Sequence, residues 1–220
     1  MLALCDNCPC RARLPDWRGA TVAVLGTGPS LRTAPLDRLR ETGVKVVAIH
    51  SAWRRAPWAD WIFAGGSEWW FDNREAVACG GLKTYLAGTH TPPGPDGVKP
   101  LFVSLTMTGG GPAFDPEGEF IVGGCNAGFS ALHALIKTGT RRIILLGIDG
   151  QTDGEGRSHW VDDPAEITQV RPFWRCDDGE RYYPALLPVL AERGIEVLNC
   201  SPGTMVQSFP TSRLEDVLRL

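Results

Sequence analysis

Apolar residues gather in short uninterrupted runs at Thr21–Leu25, Lys45–Ile49, 60–64, 101–105, Arg142–Leu146 and Glu196–Asn199. Several are continuous rather than alternating, the pattern of strands covered on both faces. Between them the apolar spacing turns helical. Leu36, Leu39 and Arg40 precede Gly43, and Phe129, Leu132, Leu135 and Ile136 form a stripe over 126–138 that stops at Gly139. Leu186, Leu187, Val189 and Leu190 lead to Gly194, and Leu214, Val217 and Leu218 follow near the C-terminus. Strand alternating with helix predicts an α/β fold with a doubly wound, mostly parallel sheet and helices on both faces. Residues 1–18, rich in Cys, Pro and Arg without periodicity, read as a tail, and 19–220 as one domain. Two stretches break the alternation, 88–120 with its many Pro and Gly and the polar, aromatic 150–182. Both read as loop insertions, which in compact domains serve as lids or interfaces.

In a doubly wound sheet ligands bind beyond the carboxyl ends of the strands, near a switch in strand order. The residues there are Gly26-Thr27-Gly28, His50-Ser51, Gly65-Gly66-Ser67-Glu68, Gly147-Ile148-Asp149-Gly150 and Asn199-Cys200-Ser201. The first of these loops continues through Pro29 and Ser30. Gly26 and Gly28 lack the Cβ that would block phosphate or ribose, and Ser30 is suited to cap the next helix or to donate to an oxygen. A ligand-free strand-to-helix turn reads the same way. Asn126 is a natural N-cap, and the amides of Ala127 and Gly128 at the helix start suit an anion. Asp149, just past a buried strand, can accept from ribose hydroxyls or help hold a metal. Taken singly, these two are also a capped helix and a turn aspartate.

His159 lies in Gly156-Arg157-Ser158-His159-Trp160-Val161-Asp162-Asp163, which sets a proton carrier beside an arginine and two carboxylates. A histidine needs no large shift to act as a base near neutrality, so His159 and Asp149 are the catalytic candidates. The alternative is a loop histidine packed on Trp160. Asp149, Asp153, His159 and Asp162 or Asp163 also form a metal set, though without a recognised spacing. Arg171 and Arg175 could serve an anionic ligand or simply the surface. His133, on the apolar stripe, reads as a core histidine and His90 as exposed.

Composition narrows the class. Net charge −3 and an isoelectric point near 5.8 leave no electrostatic footprint for nucleic acid. No apolar run approaches a membrane span, and the N-terminus has no basic region followed by a signal core, so a cytoplasmic location is expected. Seven cysteines, an odd number and mostly scattered, argue against a disulfide framework. Cys5, Cys8 and Cys10 stand close enough for half a zinc knuckle, without a second close pair. Trp53, Trp58, Trp61, Trp69 and Trp70 form a cluster that fills a core edge or walls an interface, including one with a second copy. If 69–70 is extended, one of the adjacent tryptophans points away from the core.

The ordered set Gly26-Thr27-Gly28-Pro29-Ser30-Leu31, Asn126-Ala127-Gly128, Gly147-Ile148-Asp149 and Asn199-Cys200-Ser201-Pro202 with Ser208-Phe209-Pro210 resembles the bacterial lipooligosaccharide sialyltransferases. It also resembles the wider group with the flagellin-modifying motility accessory factors and the archaeal hydroxymethylpterin diphosphokinases. In layout it is most similar to small phage and prophage proteins. The resemblance runs from about residue 20 to the C-terminus. It implies a Rossmann-like fold that binds a nucleotide or nucleotide-sugar, such as a cytidine monophosphate sugar. The implied site comprises Gly26, Thr27, Gly28, Pro29, Ser30, His50, Ser51, Asn126, Ala127, Gly128, Gly147, Asp149, Gly150 and Ser201. Thr27 and His50 stand where the sialyltransferases carry asparagines, and Tyr182 and Tyr183 come much later than their tyrosines. Three activities follow as expectations: a glycosyltransferase-like enzyme with a nucleotide-activated donor and no resident cofactor, a magnesium-dependent pyrophosphate transferase, or a non-enzymatic phage or prophage assembly protein in the host cytoplasm.

Overall fold

The computed structural model describes residues 12–88, 91–104, 107–108, 111–112, 121–122, 126–161 and 178–219. Ten strands are present among them: β1 (Thr21–Leu25), β2 (Lys45–Ile49), β3 (Trp61–Ala64), β4 (Leu82–Ala87), β5 (Lys99–Ser104), β6 (Met107–Thr108), β7 (Gly111–Pro112), β8 (Ile121–Val122), β9 (Arg142–Leu146) and β10 (Glu196–Asn199). Eight of them form one sheet in the order β10-β9-β1-β2-β3-β4-β5-β8, with every neighbouring pair parallel. β6 and β7 pair separately as a small antiparallel hairpin.

Side chains alternate between two cores. Val22, Val24, Val47, Ile49, Trp61, Phe63, Ile143, Leu145 and Val197 face a layer made by the helices Ala127–Lys137 and Leu187–Glu192. Ala23, Leu25, Val46, Ala48, Ile62, Ala64, Ile144 and Leu146 face the opposite layer, with Leu31, Leu39, Trp69, Trp70, Leu214 and Val217. The continuous apolar runs are therefore strands buried on both sides, and the chain is an α/β protein of Rossmann-like build, as expected from the alternation.

Three local expectations are corrected. Trp69 and Trp70 lie on a helix, Glu68–Asp72, not on extended chain, so neither points outward and both are buried. Trp53 and Trp61 are buried as well, so these four tryptophans fill the core of this chain. β4 is a full strand that carries no uninterrupted apolar run, and it borders the first expected insertion, within which β5, β6 and β7 also lie. Of the expected tail, residues 12–17 are docked: Ala12 donates to the Pro100 carbonyl, Trp17 donates to that of Thr138, and the Trp17 ring meets Trp61 edge-on at 6.1 Å. His133 is a core residue, fully buried on the helix Ala127–Lys137.

Cys79 and Cys200 are free thiols, and burial pushes Cys200 up to about 11. Cys5, Cys8, Cys10, Cys125, Cys176, His90, Gly123, Gly124, Asp162, Asp163, Arg171 and Arg175 lie outside the described residues. Among the described residues no helix is long and apolar enough to cross a membrane.

Candidate functional site

Strand order reverses beside β1. The chain runs outward from β1 through β2, β3, β4, β5 and β8, then returns along the helix Ala127–Lys137 to place β9 on the other flank of β1. Loops leaving β1 and β9 thus meet at the carboxyl edge, where doubly wound sheets open a crevice.

They meet closely. Gly26 N–H donates to the Leu146 carbonyl and Gly28 N–H to that of Gly147. A Cβ on Gly26 would stand 2.3 Å from the Gly147 oxygen, and one on Gly28 would stand 2.7 Å from the Asp149 carboxylate. These glycines let one loop lie on the other. The sequence suggests room for a ligand there, but the neighbouring backbone fills that room.

Asp149 completes the junction. One carboxylate oxygen accepts from Ser30 N–H at 2.7 Å and the other from the Ser30 hydroxyl at 2.5 Å. The residue is 5% exposed. Burial raises its pKa above the usual carboxylate value, and hydrogen bonds from Ser30 and Ser201 act against the rise. Ser30 does not cap a helix as expected. It sits inside the short 3-10 turn Pro29–Thr33, whose N-cap is Gly28. The Asp149 carboxylate thereby stands on the donors that an anion at this turn would use. The Ser201 hydroxyl accepts from Ile148 N–H, and Asn199 Nδ2 donates to the Ile148 carbonyl, so the loop after β10 braces the same junction. A shallow groove of about 340 Å³ lies over it, bounded by Ser30, Arg32, Asp149, Gln151 and Arg157 among others.

On the inner side of the loop, His159 reaches Thr27. Its Nδ1 is 2.9 Å from the Thr27 hydroxyl, and Trp160 N–H donates to the Thr27 carbonyl. Burial holds the imidazole below its ordinary pKa, while a hydrogen bond to the Thr27 backbone acts against that. The Thr27 hydroxyl can accept from Nδ1–H or donate to Nδ1, so this contact holds the ring in either tautomer.

His50, immediately after β2, has φ 44°, the one positive φ outside glycine among the described residues. Its Nε2 accepts from Gly65 N–H at 2.7 Å, and its ring lies against Trp69, with 5.7 Å between centroids. Burial first, and the nearby His159 second, lower His50 to about 4. At neutral pH His50 is an uncharged ring whose proton is on Nδ1.

Asn126 caps the helix Ala127–Lys137 as expected, accepting from Phe129 N–H at 2.7 Å. Gly128 lies against the end of Tyr183, whose hydroxyl would be 2.8 Å from a Cβ at that position. Tyr183 also points its hydroxyl at Asn126, and it is the site-edge residue that sequence reasoning did not place. No periodicity ties it to residue 126, 57 positions away.

The described members of the suggested metal set do not converge. Asp153 pairs with Arg157 at 2.8 Å, Asp149 is on Ser30, and His159 is on Thr27. Among the described residues no three metal-ligating side chains come together. The structure therefore gathers Thr27, Ser30, Asp149 and His159 at the β1–β9 junction, with His50 and Ser51 beside it and Asn126 at the neighbouring helix start. No family model, curated protein or solved structure matches this chain.

Proposed function

We propose that the chain binds a nucleotide-activated sugar along the carboxyl edge of its sheet and transfers the sugar to an acceptor hydroxyl. The observation that carries this reading is the delivery of His159 onto Thr27 at the strand-order reversal, where the Thr27 hydroxyl meets the ring at Nδ1. In the proposed step Nε2 takes the proton of the acceptor hydroxyl, and the acceptor oxygen bonds to the activated carbon. The bond from that carbon to the phosphate oxygen breaks, and its electron pair leaves with the nucleoside phosphate. Thr27 orients the base, and Asp149 orders the loop rather than entering the chemistry. The resemblance of the ordered motif set to the sialyltransferase-like group supports the same reading and makes cytidine monophosphate sugars the first donors to assay.

The test is turnover of nucleotide sugars by the wild-type chain and by His159→Ala. A positioned base contributes about 10²–10⁴ in rate, and His159→Ala should lose that in kcat while its melting temperature under saturating nucleotide still rises. Because the folded-state value of His159 lies below 6.5, the wild-type rate should hold into mildly acidic pH and fall only below it. An active His159→Ala enzyme overturns the reading.

A second reading, a non-enzymatic binding or assembly role, is favoured by one observation: Asp149 already occupies Ser30. A ligand at a hundred times its dissociation constant adds ~2.7 kcal/mol of stability. Cytidine, uridine, guanosine and adenosine nucleotides that all leave the melting temperature unchanged would select this second reading.

A further inference from the structure

Departures from ordinary packing concentrate at the corner where β2 and β3 end. His50 holds a strained backbone there. The hydroxyls of Ser51 and Ser67 and the indole N–H of Trp69 are sealed from solvent, and none has a partner among the described residues. Ser51 and Ser67 are fully buried and Trp69 is 4% exposed. Ser67 occupies the N-cap position of Glu68–Asp72, yet its hydroxyl makes no cap.

His50 links the three. Ser51 follows it in the chain, Gly65 N–H holds its Nε2 two residues before Ser67, and the Trp69 ring packs on it. The adjoining loop brings a further indole, because Trp160 follows His159 and packs on the layer that contains Trp53 and Trp69. Its Nε1 is likewise sealed and without a partner among the described residues.

Each buried donor left without an acceptor costs about 1–3 kcal/mol, and native interiors hold few. A chain that needed only packing here would carry Ala in place of both serines. The group also has a chemical sign. The indole N–H groups and the His50 Nδ1–H only donate, and the two hydroxyls can donate. Residues that break local rules together, beside a strained backbone, mark a place shaped for a ligand.

We infer that the β2–β3 corner is an oxyanion pocket in which Ser51, Ser67, Trp69 and His50 donate to a carboxylate or phosphoryl group, with Trp160 as its cover. Neutral donors bind such a group by direction rather than by charge. The pocket lies on the same sheet edge as the proposed nucleotide crevice, but it requires no transfer chemistry.

The experiment compares the wild-type chain with the double variant Ser51→Ala/Ser67→Ala. Inorganic phosphate and acetate are titrated separately, and binding is followed by calorimetry and by the indole N–H resonance of Trp69. At least one probe binds the wild type and shifts that resonance. The double variant binds it at least tenfold more weakly, while its melting temperature without a probe is unchanged or raised, because two sealed hydroxyls are gone. Which probe binds more tightly separates phosphoryl from carboxylate. Silence of both probes on the wild type, equal affinity in the variant, or a melting temperature lowered by several degrees each overturns the inference. Loss of nucleotide-sugar turnover alone leaves it standing, since phosphate and acetate report on the pocket directly.

Discussion

Asp149 accepts from Ser30 through both oxygens, so its geometry can be separated from its charge. Asp149→Ala leaves the Ser30 N–H and hydroxyl facing an empty space and should cost about 1–3 kcal/mol in denaturant unfolding. Asp149→Asn keeps an oxygen for the N–H and turns an amide N–H toward the hydroxyl, and it should stay within about 1 kcal/mol of wild type. An Asn variant as unstable as the Ala variant would show that the negative charge, not the bonding pattern, holds the junction. A sequence cannot display this arrangement. Ser30 and Asp149 are 119 positions apart, and each reads alone as a residue awaiting a ligand. Gly26 and Gly28 misled for a related reason, because a glycine reports that something comes close without saying whether it is substrate or backbone.

At the scale of elements, the helix Ala127–Lys137 is where local signals were strong enough to stand alone. Its apolar stripe, its Asn126 cap and its Gly139 stop all lie within fourteen consecutive positions, and the structure reproduces each. Asn126→Ala should cost ~1 kcal/mol, the ordinary worth of an N-cap. Asn126→Ser should restore most of it, as measured by chemical denaturation. If both variants melt like wild type, neither the cap nor the Tyr183 hydroxyl's contact with Asn126 anchors this end. β4 shows the opposite case. Its Lys83 and Thr84 interrupt the apolar run, yet Thr84 is fully buried and accepts from the Trp61 indole at 2.8 Å. A buried polar residue satisfied across a sheet looks like an exposed one until the sheet is built. The helix Glu68–Asp72 was hidden too, since five residues hold too little periodicity to separate helix from strand.

For the whole molecule, His50 carries a response to acid. The folded-state pKa of His50 is about 4 against an ordinary 6.5, so the folded chain resists protonation that the unfolded chain accepts. Its contribution to stability is complete above pH 6.5 and is lost as pH falls toward 4, amounting to no more than ~3 kcal/mol. Asp149 has the opposite sign: its raised value favours the folded state below pH 3.8, and that benefit is lost as pH rises through the folded-state value. Denaturant midpoints measured from pH 7.5 to 4 should therefore fall, and His50→Gln, which can still accept from Gly65, should flatten the decline. An equally steep decline in that variant would place the acid sensitivity elsewhere.

Fold class was readable at this scale because two-faced burial writes itself into continuous apolar strands, whereas the meeting of loops at the carboxyl edge depends on strand order, which no single segment encodes. That order also has a consequence during synthesis. β1 sits between β2 and β9, and more than a hundred residues separate it from its second neighbour. At about 5–20 residues per second, one edge of the central strand waits for roughly ten seconds on the ribosome with its amides and carbonyls bare. During that interval the nascent chain is open to wrong pairing with other polypeptides, and holding chaperones have their greatest effect on yield.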